Sequence, residues 1–156
     1  MLQTFWRMQV VTIQDILSAK GSTVYKIGPE ATLADVAREL VEHRVGSLVV
    51  CPSDASQQPS FLGIITERDI LYCCARGDTD LAKIRVADVM TTNLITALPN
   101  DAIEDVMGLM TTKRIRHLPV VAEGRLLGII SIGDVVKAQH DHLAMENKFM
   151  KDYIRS

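Results

Sequence analysis

The chain has 156 residues, 47% hydrophobic and 23% charged, with a formal net charge of −2. That is enough apolar material for a folded core, which excludes a disordered chain, and the slight acidity argues against a basic nucleic-acid-binding face. No apolar run approaches the roughly 20 residues of a membrane-spanning helix, and the three cysteines, Cys51 and the adjacent Cys73 and Cys74, contain no CxxC and form no disulfide framework.

The N-terminal stretch Met1 to Met8 has one Arg and no long apolar core, so no secretory leader is expected there. Thr12 to Ala19 reads as a short helix closed by Gly21. Val24 to Ile27 is a short extended piece. Thr32 is an N-cap, after which Leu33, Val36, Ala37 and Leu40 recur at helical spacing. Ser47 to Cys51 and Phe61 to Ile65 are compact apolar runs, read as buried strands. Between them lies a Pro- and Ser-rich surface loop, Cys51 to Ser60. Glu67 to Ala75 is a helix ending near Gly77. Leu94 to Ala97 is expected to be extended, and Ile103, Val106, Met107 and Met110 line a helix. Leu118 to Val121 and Leu126 to Ile130 are strands joined by the turn Glu123-Gly124. Ile132 begins a final helix, and the tail from Gln139 to Ser156 is charged and helix-prone.

This order contains a repeat. Leu62 to Ile70 reads LGIITERDI and Leu127 to Val135 reads LGIISIGDV. Pro29 to Val36 matches Pro99 to Val106, and Arg44 to Val50 matches Arg114 to Val120. These two blocks recur at one spacing, while the glycine motif recurs a few residues sooner. The first copy therefore carries extra residues in its Pro- and Ser-rich loop, where insertions are tolerated. A shorter echo, Ile13 to Leu17 and Val86 to Met90, precedes each copy. One structural unit used twice implies one polar site per copy. Each copy reads strand–helix–strand–strand–helix.

The duplicated Gly–hydrophobic–hydrophobic–Thr/Ser–x–x–Asp motif, together with Ile115 to Val120 (IRHLPV), resembles the CBS domain, named after cystathionine β-synthase. The resemblance covers roughly residues 10–138. It implies an α+β fold, α/β sandwich-like, in which tandem repeats pack about a pseudo-twofold axis. The boundaries expected are an arm over 1–9, repeats over 10–80 and 81–138, and a charged helical tail over 139–156. The resemblance also implies two clefts for adenosyl ligands, AMP first, with ADP, ATP, NAD or S-adenosylmethionine as alternatives.

By that resemblance, Thr66 with Asp69 and Ser131 with Asp134 form two ribose clamps, the hydroxyl also serving an α-phosphate. The plain alternative is helix capping, since Thr and Ser are favoured N-caps and an early Asp complements the helix dipole. Arg116 and His117 close the densest cationic run and are expected at the phosphates, Arg offering a two-pronged donor. Lys113 and Arg114 read as a solvated helix end. Gly46 and Ser47 occupy the equivalent positions of the first copy and bring no charge, so the clefts should differ, with Gly46 leaving room for adenine or ribose. The segment Lys20 to Tyr25 is expected beside the adenine of the Asp134 cleft through Ser22 and Tyr25, the alternative being a helix cap with Tyr25 in the core. Asn93 and Ile95 are the counterpart beside Asp69.

Other candidates are bland. His140 and His142 stand two apart on a helix and point away from each other, so they bind no metal. Cys73 and Cys74 are helix packing groups, in keeping with a reduced, cytoplasmic protein. No nucleophile elbow, phosphate loop or zinc spacing is present, and no base flanks Thr66 or Ser131, so no catalytic residue and no enzyme activity is expected. The sequence therefore points to a stand-alone regulatory module for adenosyl nucleotides in signal transduction and energy sensing. It is expected to be a homodimer meeting through Ile70, Leu71, Val135 and Val136, with no membrane and no catalytic cofactor. The rival readings are an interaction module with degenerate, empty clefts and a nucleic-acid binder. The partner protein that such a module would regulate is not legible in the sequence.

Overall fold

A computed structural model describes residues 10–21, 23–54 and 61–155. Six helices and five strands run in the order α1 (Ile13–Lys20), β1 (Lys26–Ile27), α2 (Leu33–His43), β2 (Ser47–Val50), β3 (Gly63–Thr66), α3 (Glu67–Ala75), α4 (Val86–Val89), α5 (Ile103–Lys113), β4 (His117–Ala122), β5 (Arg125–Ser131) and α6 (Ile132–Arg155), with a 3-10 turn at Leu81–Lys83. The α+β class expected from the sequence is what forms.

The repeat is visible in the hydrogen bonds. β2 pairs antiparallel with β3, setting Ser47 opposite Thr66, and β4 pairs antiparallel with β5, setting His117 opposite Ser131. Helices α2 and α5 both end on an arginine in the left-handed region, Arg44 and Arg114, each with φ 54°. One difference is a correction: Leu94 to Ala97 does not form a strand. Its first-repeat counterpart, β1, pairs in parallel with β2, whereas Ala97 makes a single bridge to Val120. The strand expected from Phe61 begins at Gly63, and the loop residues 55–60 lie outside the described residues.

The two cores cross the chain order. One gathers Leu33, Val36, Leu40, Leu48, Val50, Ile65, Cys73 and Val86. The other gathers Ile103, Val106, Met110, Leu118, Val120, Ile130 and Val135, and it also takes Ile13, Ile16 and Leu17 from α1. Thus α1 packs not on the repeat it precedes but on the other, and α4 does the reverse. The same backbone pattern seats both. Val86 N–H donates to Ala31 C=O at 2.8 Å while Ile13 N–H donates to Asp101 C=O at 3.0 Å; Ala87 N–H donates to Pro29 C=O at 2.9 Å while Gln14 N–H donates to Pro99 C=O at 2.8 Å. The glycines of the duplicated motif permit this docking. A Cβ on Gly128 would stand 2.8 Å from the Leu17 side chain, and one on Gly63 would strike the Thr91 backbone.

Candidate functional site

The crossing leaves two cavities between the repeats. The larger, about 840 Å³, is bordered by Ser131 and Asp134 at the start of α6 and by Thr23 to Tyr25 from the segment after α1. The smaller, about 530 Å³, is bordered by Thr66 and Asp69 at the start of α3 and by Asn93 to Ile95. Both volumes lie in the range of small-molecule sites. The pairings expected from the sequence, Asp134 with the Tyr25 segment and Asp69 with Asn93 and Ile95, are brought together. Ser22 lies outside the described residues. Gly46 and Ser47 line the larger cavity and Arg116 the smaller, while His117 and Glu67 line both.

The hydroxyl–x–x–Asp pairs are caps as well as cleft residues. Thr66 N–H and Thr66 Oγ1 donate to Asp69 Oδ2 at 2.8 and 3.0 Å. Ser131 N–H donates to Asp134 Oδ2 at 2.8 Å, and Asp134 N–H donates back to Ser131 Oγ at 3.2 Å. The same arrangement caps α1 through Thr12 and Asp15 and α2 through Thr32 and Asp35. Capping therefore accounts for the residue pair itself. What separates Asp69 and Asp134 from Asp15 and Asp35 is position: the former border these two cavities and the latter border neither. In each, Oδ1 has no hydrogen-bond partner among the described residues.

Asp134 also holds a cation that sequence reasoning missed. Lys20 Nζ, on the last residue of α1, donates to Asp134 Oδ2 at 2.6 Å and to Ile129 C=O at 2.9 Å. Both side chains are partly buried, 35% and 26% exposed. Burial pushes the Asp134 carboxyl up, but the Lys20 ammonium and the Ser131 amide pull it down further, and it settles below its ordinary 3.8. Its contribution to stability is therefore complete above that ordinary value and is lost as pH falls through the lowered one. With Lys20 and Arg44 on its walls, the larger cavity is not short of positive charge, contrary to what Gly46 and Ser47 alone suggest.

Gly46 lines the larger cavity and also makes room for a side chain. A Cβ there would lie 2.7 Å from His117 Nε2 and 2.8 Å from His117 Cε1, so the imidazole rests directly on the Gly46 backbone, at the junction of the two cavities. Burial pushes the His117 imidazole below its ordinary 6.5, against the opposing pull of Glu67 and Asp134. The unfolded chain thus takes up this proton first, and stability falls as pH drops below 6.5 toward the folded value. Gly46→Ala should force the ring outward and return its titration toward 6.5. An NMR titration of the His117 Cε1 proton reads this, and identical midpoints in both proteins would contradict the contact.

Tyr25 stands both against the first core and on the wall of the larger cavity. It stacks on His43 with ring centroids 3.9 Å apart. The expected dimer face needs correction. Val135 is fully buried inside its own core, and Ile70 packs against the first core, which leaves Leu71 and Val136 as the exposed members. Cys73 is buried and Cys74 exposed. Among the described residues, no group of three or more His, Cys, Asp or Glu is placed to hold a metal, and no helix is long and apolar enough to cross a membrane.

Two repeats of matching strand pairing, each with the start of its closing helix bordering a cavity, define a tandem-repeat domain architecture. The CBS domain model matches residues 20–76 and 86–141. The chain belongs to the CBS domain family. It is 36% identical over 84% of its length to the mitochondrial CBS domain-containing protein CBSX3 of Arabidopsis thaliana, the match spanning 66% of that protein. The crystal structure of the CBS-domain protein ATU1752 from Agrobacterium tumefaciens superposes with a TM-score of 0.78 at 36% identity, covering 86% of this chain and 98% of that one. The CBS domain pair of protein MJ0100, solved with 5′-methylthioadenosine and S-adenosyl-L-methionine, superposes with a TM-score of 0.70, covering 85% of this chain and 98% of that one. At 23% identity, that likeness concerns the fold.

Proposed function

We propose that this CBS pair is a regulatory module that binds an adenosyl nucleotide, with the Asp134 cleft as its principal site, and that it works as a non-catalytic homodimer. One observation carries the ligand reading. Of four hydroxyl–x–x–Asp caps, the two in the duplicated motif border cavities of ligand size, each faced by a segment from the opposite repeat. Asp134 Oδ1 and Ser131 would take the ribose hydroxyls, the backbone of Thr23 to Tyr25 the adenine edge, and Lys20, Arg44 and His117 the phosphate. In the smaller cleft, Asp69 and Thr66 would take the ribose and Arg116 the phosphate. AMP is the first candidate, with ADP, ATP, NAD and S-adenosylmethionine as alternatives. A ligand touching both repeats shifts their arrangement by its differential affinity for it, which is how such a module would signal.

A thermal-shift screen of these five ligands tests the reading, because selective binding to the folded state raises apparent stability by mass action. No stabilisation by any of them at millimolar concentration would overturn it. The Lys20–Asp134 ion pair favours a second reading, in which the clamp is satisfied internally and the module serves interaction alone.

Lys20 separates the two. If nucleotide binds, the ammonium must leave Asp134 and can follow the phosphate. Lys20→Met should then tighten adenosine and weaken AMP, narrowing the preference between them by about tenfold, the scale of one charged hydrogen bond. The His117 charge should tighten AMP only below the ordinary 6.5, since burial delays its protonation. Calorimetry giving equal preferences in wild type and Lys20→Met would remove Lys20 from phosphate recognition.

A further inference from the structure

We infer that the two clefts share one phosphate wall at His117 and Glu67, so that a phosphate-bearing ligand in one cleft weakens the binding of a second in the other, whereas an uncharged adenosyl ligand fills either freely. The inference rests on the reading of both cavities as adenosyl sites and adds how their occupancies are linked.

Among the described residues, His117 and Glu67 alone border both cavities. They come from different repeats and meet over one stretch of backbone. Glu67 N–H donates to Gly46 C=O at 3.1 Å. A Cβ on Gly46 would stand 2.7 Å from His117 Nε2 and 3.6 Å from Glu67 Cδ, so imidazole and carboxyl group flank the same point. The ring feels the charges of both clefts: Asp134 and Lys20 from the larger, Arg116 from the smaller, and Glu67 from both. Among the described residues, the Glu67 carboxylate has no hydrogen bond or ion pair to neutralise it.

The repeat does not impose this wall. Ser47 is the counterpart of His117, since each stands opposite the hydroxyl residue of its own motif, Thr66 and Ser131. Glu67 and Ile132 are likewise counterparts, each the first residue of a closing helix. Ser47 borders the larger cavity only, and Ile132 borders neither.

Three features give the coupling its sign. Burial keeps the imidazole uncharged near neutral pH, and a neutral ring has one N–H to donate, enough for one phosphate. A second phosphate across the wall meets the first as a like charge, in a partly buried space that salt screens weakly. The Glu67 carboxylate opposes both. Adenosine brings no charge and escapes all three.

Calorimetry on the full chain with AMP and with adenosine tests this. In the wild type the larger cleft fills first. AMP should then enter the smaller cleft at least about tenfold more weakly than it enters the same cleft of Asp134→Ala, where the larger site is impaired, a factor within the usual range of coupling between sites. Adenosine should show no such difference. Glu67→Gln should tighten AMP in both clefts and adenosine in neither, and tightening in one cleft alone would overturn the sharing. Equal AMP affinity of the smaller cleft in wild type and Asp134→Ala, or no AMP in that cleft of either protein, overturns the coupling and leaves the larger cleft's ligand reading standing. Coupling as strong for adenosine as for AMP overturns the phosphate wall and moves the linkage to the arrangement of the repeats. A wild type that binds neither ligand overturns both readings.

Discussion

Asp134→Ala is expected to lower the affinity of the larger cleft for AMP by about tenfold or more, because it deletes a charged hydrogen-bonding group worth roughly 1.5–3 kcal/mol. The substitution also uncaps α6 and strands the Lys20 ammonium, so a loss of stability of about 1 kcal/mol accompanies it. Asp35→Ala separates these effects. Asp35 holds the same cap on α2, accepting from Thr32 N–H at 3.0 Å, but borders neither cavity. It should cost similar stability and leave AMP affinity unchanged, while Asp69→Ala should affect the smaller cleft alone. Calorimetry in which Asp35→Ala and Asp134→Ala behave alike would reduce the clamp to a cap.

The largest effect on stability is expected from Ile13→Ala. Ile13 is fully buried, and emptying such a site costs about 2–5 kcal/mol, transfer and cavity terms together. Its location decides where the damage falls. Ile13 belongs to the core of Ile103, Leu118 and Ile130, not to that of Leu33 and Leu48. Native-state hydrogen exchange should show protection falling first in α5, β4 and β5, with α2 and β2 spared. Protection lost first in α2 and β2 would contradict the crossed packing.

Much of the fold was legible because local rules agree with the global structure. The spacing of Leu33, Val36 and Leu40 marks α2, the apolar run at Ser47 marks β2, and Glu67 to Ala75 is the helix as expected, residue for residue. Legibility stopped where contacts join distant parts of the chain. Nothing near Ile13 tells which repeat α1 will complete, because an amphipathic helix reports that it has a buried face and not what covers it. The Lys20–Asp134 pair and the seat of His117 on Gly46 are hidden for the same reason. The clamp motif was ambiguous in a different way. Thr12-x-x-Asp15 and Thr32-x-x-Asp35 carry the same residues as Thr66-x-x-Asp69, so residue type alone cannot distinguish a cap from a cap that also borders a cleft. The tail from Gln139 reads as no more than helix-prone, because the distal part of α6 lacks the buried stripe that marks its first turns.

The crossed helices also impose an order on synthesis. A nascent chain extended to Met90 already contains every segment of its first core, including Val86, and can close it. α1 leaves the ribosome before all of these, yet the surface that receives it is not complete until Val135 has been made. For most of translation, then, Ile13, Ile16 and Leu17 have no native site to enter. They travel as an exposed apolar stripe beside a finished half-molecule, the kind of segment that chaperones hold and that neighbouring nascent chains can capture.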